Sequence, residues 1–328
     1  MKEQSAPLRR GYTTGVHAAV AFGAALEGLL ASGETTQSRT EKMDNDDLDV
    51  TKGCEIVVTC SYYRDVLVCN PIAHTPYTIG KIELYAGEGV GVVTKAGLKP
   101  PKGYPAINPA PLKAMEARVA HHAHKITRHI YATISVTDGQ ALAKKTANAK
   151  VGVLGGISIL GSTGIVKPVS SDAYLDSIAT EIGFARENGY EKLVLTLGNS
   201  ALAYAKTNYD EAQIVEIGNF VHDALEIAQE KGMYDITFIC GIAKAVKVMQ
   251  GCKNTHNRFG SIDFEALCMQ IKEDLNIEIA HQKLNTVKGL TKELGAYADA
   301  FYHMVKAGTD EQIKHWFPNL KVGTVIVR

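Results

Sequence analysis

The chain has 328 residues, of which 45% are hydrophobic and 21% charged; that is the length of about two domains and the composition of an ordinary globular protein. Thirty-five Lys and Arg balance thirty-five Asp and Glu, so no global field draws in nucleic acid or an anionic membrane, and an anionic ligand needs a local basic patch. No uninterrupted apolar run is long enough for a bilayer, MKEQSAPLRR lacks a signal-peptide core, and the six cysteines form no CxxC pair, which points to buried thiols in a reducing cytoplasm.

A helix is expected over 15–31, apolar nearly all round and therefore buried, with Thr13 or Thr14 as its cap and Ser32-Gly33 as its end. Residues 34–53 are polar and acidic and read as an exposed loop. Residues 54–62 and 65–69 are β-rich and close together, which predicts a hairpin. Residues 87–103 are rich in glycine and proline around a short apolar core, Val90 to Val93, and 106–111 form a second irregular loop. A helix follows over 112–127, then a strand over 129–136. Thr137 and Gln140 have capping-box spacing for a helix to Ala147.

From Val151 the pattern changes to repeated strand, loop and helix. Strands are expected at 151–154, 193–197 and 236–240, and helices at 172–187 and 218–230, with another starting at Gly241. Apolar strands alternating with helices predict a parallel sheet covered on both faces. Helices near 264–275, 286–294, 297–306 and 309–316 and a last strand at 322–327 complete the chain. The expected fold class is α/β: an N-terminal α+β domain with antiparallel strands over 1–148, and a three-layer, Rossmann-like α/β domain over 149–328. Whether the last strand returns to the first domain stays open.

In a doubly wound sheet the ligand crevice lies beyond the carboxyl ends of the strands. Three expected strands end there in glycine, giving Gly155-Gly156, Gly198-Asn199 and Gly241. The longest loop, VGVLGGISILGSTGIVKP over 151–168, has five glycines and the hydroxyls of Ser158, Ser162 and Thr163. Main chain without β-carbons can lie close to a ligand. Gly155, Gly156, Ser158, Gly161, Ser162, Thr163, Gly164, Gly198, Asn199 and Gly241 are therefore the cofactor-binding candidates; each glycine alone is equally an ordinary turn. On this reading Gly156→Val abolishes ligand binding and leaves the fold intact. GxxxxGK[ST] and GxGxxG are both absent, so a carboxylate or ribose ligand fits better than a pyrophosphate.

A second candidate is RRGYTTG over 9–15, where Arg9, Arg10, Thr13 and Thr14 meet a helix N-terminus; capping and anion binding are both open to the threonines. A third is GEGVGVVTK over 87–95, followed by Lys99 and Lys102, with a glycine-rich hairpin edge as the plain alternative. His121, His122 and His124 diverge on their helix and read as a solvated face rather than a zinc site. His256 lies in a polar loop after a helix with Lys244 and Lys247 and could assist proton transfer.

GYTTGVHAA, GEGVGVVTKAGL, PAINPAP, VTDGQALAKKTANAKVGVLGGISILGSTGIVKP and NTHNRFG occur in an order that resembles the CbiD family, the cobalt-precorrin-5B C(1)-methyltransferases of anaerobic cobalamin synthesis. The resemblance spans about 10–290. It implies an S-adenosylmethionine-dependent methyltransferase acting on ring carbon 1 of a cobalt-bearing tetrapyrrole, with the metal carried by the substrate and no protein-bound metal. It implies a cytoplasmic enzyme whose partners are that tetrapyrrole and other enzymes of the pathway, not nucleic acid or membrane. On this implication Arg9, Arg10, Lys95, Lys99, Lys167, Lys244, Lys253 and Arg258 are cations for the substrate's carboxylates, and Thr13, Thr14 and His256 are the catalytic candidates. A non-catalytic corrinoid carrier and a nucleotide-dependent oxidoreductase or kinase are the competing readings.

Overall fold

The structure, a computed structural model, describes residues 9–46, 49–166, 171–279 and 286–328. It divides into two compact units, Met1–Ser171 and Asp172–Arg328. The boundary expected at 148/149 thus lies some twenty residues later, because the strand expected at 151–154 pairs inside the first unit.

In chain order, the first unit holds β1 (Gly11–Tyr12), α1 (Thr14–Ser32), β2 (Thr36–Glu41), β3 (Glu55–Ser61), β4 (Tyr77–Ile79), β5 (Ile82–Ala86), β6 (Gly89–Val90), β7 (Val92–Val93), α2 (Pro109–His121), β8 (Ile130–Val136), α3 (Gly139–Ala143), β9 (Val153–Leu154), β10 (Gly156–Ile157) and β11 (Ile165–Val166). Five strands form one sheet in the order β2-β3-β8-β5-β4, antiparallel except for β5 beside β8. Alternate residues of its central strands, Ile56, Val58 and Cys60 with Ala132 and Ile134 and with Ile82 and Leu84, are fully buried. They share one core with Ala18, Ala21, Phe22, Ala25, Leu26 and Leu29 of α1. Each large side chain among them contributes about 1.5–3 kcal/mol by leaving water. By length and composition α1 could cross a bilayer, contrary to the sequence expectation, but half of it is buried in this core.

Three local expectations are corrected. Residues 36–41, expected in a loop, form β2, whose polar side chains carry no strand signal but whose backbone pairs with β3 over six residues. The 65–69 segment is not the partner of β3; Arg64–Val66 is one turn of 3₁₀ helix and Cys69 makes a single bridge to Gly87. The capping box at Thr137 does not form: Asp138 adopts φ 56° and α3 has only five residues. Helix α2 starts earlier than expected, at Pro109, and ends at His121, before a 3₁₀ turn over Ala123–Lys125.

The second unit holds α4 (Ser171–Glu187), β12 (Lys192–Leu197), α5 (Asn199–Asn208), β13 (Ile214–Glu216), α6 (Val221–Glu230), β14 (Asp235–Gly241), α7 (Ile242–Met249), α8 (Phe264–Leu275), α9 (Val287–Leu294), α10 (Ala298–Trp316) and β15 (Lys321–Val327). Its four strands are all parallel, in the order β13-β12-β14-β15. Leu193, Leu195, Leu197, Ile236, Phe238 and Cys240 face a core completed by α4, α6, α7, α8, α9 and α10. Val194 and Ile239 face the other way, against Ala201 and Ala205 of α5. The last strand stays in this unit, pairing with β14 along its whole length. Helix α5 and strand β13 escape the sequence reading because one is small and polar and the other has three residues. The two helices expected at 297–306 and 309–316 are one; Gly308 between them is a close-packing point, where a β-carbon would lie 2.7 Å from Met249.

Candidate functional site

Of the three motif segments of the first unit, 151–168 meets both of the others. β10 runs parallel to β6, aligning Gly156 with Gly89, and β9 runs antiparallel to β7. A β-carbon on Gly156 would lie 2.2 Å from the Gly89 carbonyl oxygen, one on Gly139 2.1 Å from the same oxygen, and one on Gly89 2.0 Å from the Val136 carbonyl. These glycines let three backbones touch. Asn70, which sequence reasoning passed over, staples the segment: its Nδ2 donates to the carbonyls of Val90 (2.7 Å) and Gly155 (3.1 Å), and its Oδ1 accepts from the Ile72 N–H. The expectation that Gly155 and Gly156 offer open main chain to a ligand is corrected here, and with it the expectation that Gly156→Val leaves the fold intact. Ser158 is half-buried between them and Leu160.

The far half of the segment folds onto the start of α1. β11 pairs with β1, Gly15 N–H donates to the Leu160 carbonyl (2.8 Å), and Thr13 N–H donates to the Gly164 carbonyl (3.0 Å). Thr13 Oγ1 accepts from Val16 N–H, and Thr14 Oγ1 accepts from Leu160 N–H at 2.8 Å. Both hydroxyls expected to clamp a ligand are engaged by the protein's own main chain: that of Thr13 caps α1, and that of Thr14 holds the glycine segment in place. Exposed beside them are Tyr12, Leu160 and Ile165, with Ser162 and Thr163 at the tip and Gly161 and Gly164 half-buried.

The basic candidates separate. Arg9 pairs with Asp44 (2.9 Å) and Asp46 (3.0 Å), whereas Arg10 is exposed and makes no ion pair among the described residues. Lys95 and Lys99 are exposed on the loop that bonds through Thr94 to Gly152. Lys167 lies outside the described residues. Deeper in the unit, the Lys42 ammonium is buried against Asp49, whose other oxygen accepts from the N–H and hydroxyl of Thr51. These bonds outweigh burial and hold the Asp49 carboxyl below its ordinary range; burial and the Lys42 charge push His17 below the ordinary histidine value.

In the second unit the expectation of convergence holds for two of the three loops. Strands β12 and β14 are hydrogen-bonded neighbours, with Leu197 opposite Cys240, and they end at Gly198-Asn199 and Gly241. From β12 the chain turns into α5 and on to β13; from β14 it turns into α7, towards β15. The helices pack on opposite faces, α5 against Val194 and Ile239, α7 against the core of Phe238. The ends of β12 and β14 therefore flank a topological switch point, where connections diverge, the place at which open α/β sheets bind ligands in general. A β-carbon built on Gly198 or Gly241 meets nothing within 4 Å, the reverse of the crowding at Gly156. Neither α5 nor α7 has a side-chain cap at its N-terminus.

Polar side chains of the same edge are tied together. Lys244, on the first turn of α7, donates to Asn219 Oδ1 (2.9 Å) and to the Thr255 carbonyl (3.1 Å), and Asn219 Oδ1 also accepts from Thr255 Oγ1 (2.9 Å). Buried Lys247 donates to the Thr255 carbonyl, Asn257 Oδ1 and the Gly260 carbonyl. His256 is exposed in this loop; its Nδ1 accepts from Arg258 N–H, so in the neutral ring the proton is on Nε2. Lys253 is exposed, and the Arg258 guanidinium lies over Phe259 at 4.8 Å. Asn219 carries no motif signal, and Thr255 lies in the NTHNRFG block, where sequence reasoning passed over it; only the fold brings them to Lys244. Two surface depressions of this unit, about 360 Å³ beside Gly308 and His315 and about 460 Å³ beside Lys314 and Val322, share none of these residues. Among the described residues no three His, Cys, Asp or Glu side chains gather as metal ligands; His122 instead bonds Glu27 of α1 at 3.1 Å.

The CbiD family model matches residues 30–168. The cobalt-precorrin-5B C(1)-methyltransferase of Methanococcus maripaludis strain C5 is 33% identical over 299 residues, 89% of this chain and 80% of its own. That of Methanococcus aeolicus is 36% identical over 290 residues, 88% and 71%. That of Alkaliphilus metalliredigens is 33% identical over 344 residues, 97% and 89%. A crystal structure of the cobalamin biosynthesis protein CbiD from Archaeoglobus fulgidus is 25% identical, covers 76% of this chain and 83% of that one, and superposes with a TM-score of 0.34.

Proposed function

The chain belongs to the CbiD family, and from that premise we propose that it transfers a methyl group from S-adenosylmethionine to ring carbon 1 of cobalt-precorrin-5B in cobalamin biosynthesis, as a cytoplasmic enzyme. The observation that carries the reading is the identity of about one residue in three along almost the whole chain to proteins named for that reaction. The cobalt is part of the substrate.

The residues of the second unit suit the donor. Gly198, Asn199 and Gly241 stand at the switch point, and the free space where β-carbons of the two glycines would stand leaves room for a nucleoside. S-adenosylmethionine supplies an electrophilic methyl whose C–S bond breaks as the new C–C bond forms. The protein's share is to align that methyl with the ring carbon and to keep water out, and alignment of this kind is worth about 7–11 kcal/mol. The first unit suits a broad, flat polyacid. Tyr12, Leu160 and Ile165 offer apolar surface beside Arg10, and Lys95 and Lys99 are exposed cations. Each charge-assisted bond to a carboxylate contributes about 1.5–3 kcal/mol.

Incubating the protein with cobalt-precorrin-5B and methyl-¹³C-labelled donor tests the reading. A new ¹³C methyl resonance on ring carbon 1 is the expected result. Folded protein that binds the tetrapyrrole yet forms no product and takes up no S-adenosylhomocysteine would instead be a carrier.

A further inference from the structure

Lys247 is 6% exposed, and its ammonium is surrounded by three oxygens, the carbonyls of Thr255 (3.2 Å) and Gly260 (2.8 Å) and Oδ1 of Asn257 (2.8 Å). All three are neutral. Among the described residues no carboxylate pairs with it. Burying an uncompensated ammonium costs several kcal/mol, and an apolar side chain of similar volume would fill the space at less cost. What the charge does is draw residues 255–260 round itself.

One turn earlier on α7, Lys244 donates to the same Thr255 carbonyl (3.1 Å), so two cations share one oxygen. Asn219 holds Lys244 from the other side and is itself held by the Thr255 hydroxyl and by its own carbonyl accepting from Thr255 N–H. Lys244 is half-buried and uses two of its three N–H groups on protein acceptors. Burial, and then the Lys247 charge, hold it below the ordinary lysine value. A hydrogen-bonded pair of positive charges without a counter-ion among the described residues, at the carboxyl edge of a parallel sheet, is complementary to an anion.

We propose that Lys244, Asn219, Thr255 and Lys247 form a carboxylate-binding subsite, in which Lys244 touches the carboxylate and Lys247 is a positioning residue that fixes Lys244 and the 255–260 loop. The identity of the acid rests on the methyltransferase reading. It is either the amino-acid carboxylate of the methyl donor or an acid side chain of the macrocycle.

The test uses the full chain labelled with ¹³C at the lysine ε-carbon, the Lys244 resonance being assigned by its loss in Lys244→Met. Glutarate is expected to shift that resonance and to raise the pKa of Lys244. In Lys247→Met the free-state pKa of Lys244 rises, because a neighbouring positive charge is gone, and glutarate binds at least tenfold more weakly; Lys247→Gln serves if the methionine variant does not fold. If the acid is the donor's, Lys244→Met weakens S-adenosylhomocysteine at least tenfold and leaves 5′-methylthioadenosine, which lacks the carboxylate, unchanged. If it is the macrocycle's, Lys244→Met raises the tetrapyrrole KM at least tenfold with the donor KM unchanged. A Lys244 resonance indifferent to glutarate, with both ligands unaffected in Lys244→Met, overturns the subsite and leaves methyl transfer standing. Glutarate binding at Lys244 in a protein that binds neither the donor product nor the tetrapyrrole overturns methyl transfer and leaves the subsite standing.

Discussion

A β-carbon at Gly156 would stand 2.2 Å from a backbone oxygen that no rotamer change can move, whereas one at Gly241 would meet nothing within 4 Å. The two glycines look alike in sequence, and the structure gives them opposite roles. Gly156→Ala is expected to destabilise the protein by about 3 kcal/mol, the upper end of what overpacking costs, because the obstructing atom is backbone. Gly241→Ala, at a φ of −79°, should change stability by less than about 0.5 kcal/mol and weaken S-adenosylhomocysteine binding. Urea midpoints and calorimetry separate these; equal stability losses would contradict the packing described. At the same scale, Asp49→Asn strands the buried Lys42 ammonium and should cost about 3–5 kcal/mol. The pH dependence follows from the signs of two shifts. The folded His17 value is depressed, so its contribution is full above about pH 6.5 and declines as acid is added through the lower folded value. The Asp49 value is depressed too, so its contribution is full above about pH 3.9 and disappears below that. Stability measured by urea unfolding should therefore fall in two stages on acidification; His222, depressed by burial and then by the Lys253 charge, adds to the upper stage, which His17→Gln should reduce.

Among the elements, α1 is the best-read piece. Its apolar circumference announced a buried helix, Thr13 caps it, and Gly33 ends it at φ 76°. What the pattern hid is that its N-terminus is closed by another segment, with Thr13 and Thr14 bonded into 160–164. Thr13→Ala should cost about 1 kcal/mol, the usual value of a cap. Thr14→Val removes the acceptor for Leu160 N–H and should increase hydrogen exchange at Leu160 by at least tenfold. Unchanged exchange there would mean that the glycine segment holds its shape without α1. Strand β2 was illegible for the opposite reason: TQSRTE has no apolar alternation, and only pairing with β3 makes it a strand.

For the molecule as a whole, each unit has its own hydrophobic core and its own sheet. Residues 172–328 alone are expected to unfold cooperatively and to bind S-adenosylhomocysteine within about threefold of the full chain, since Gly198, Asn199 and Gly241, proposed to hold the donor, lie there. Loss of binding in a folded fragment, by calorimetry, would remove the donor from this unit. The sequence by itself determined the mixed α/β class, the strands β12 and β14, most helices and the family, because these depend on periodicity, caps and runs of residues that act locally. It also marked the glycine-rich blocks as unusual, without saying what each glycine does. Which glycines crowd against backbone and which open onto space was decided only in three dimensions. A missing β-carbon is the same signal for close packing and for an empty cradle, and the atoms that distinguish the two come from distant parts of the chain.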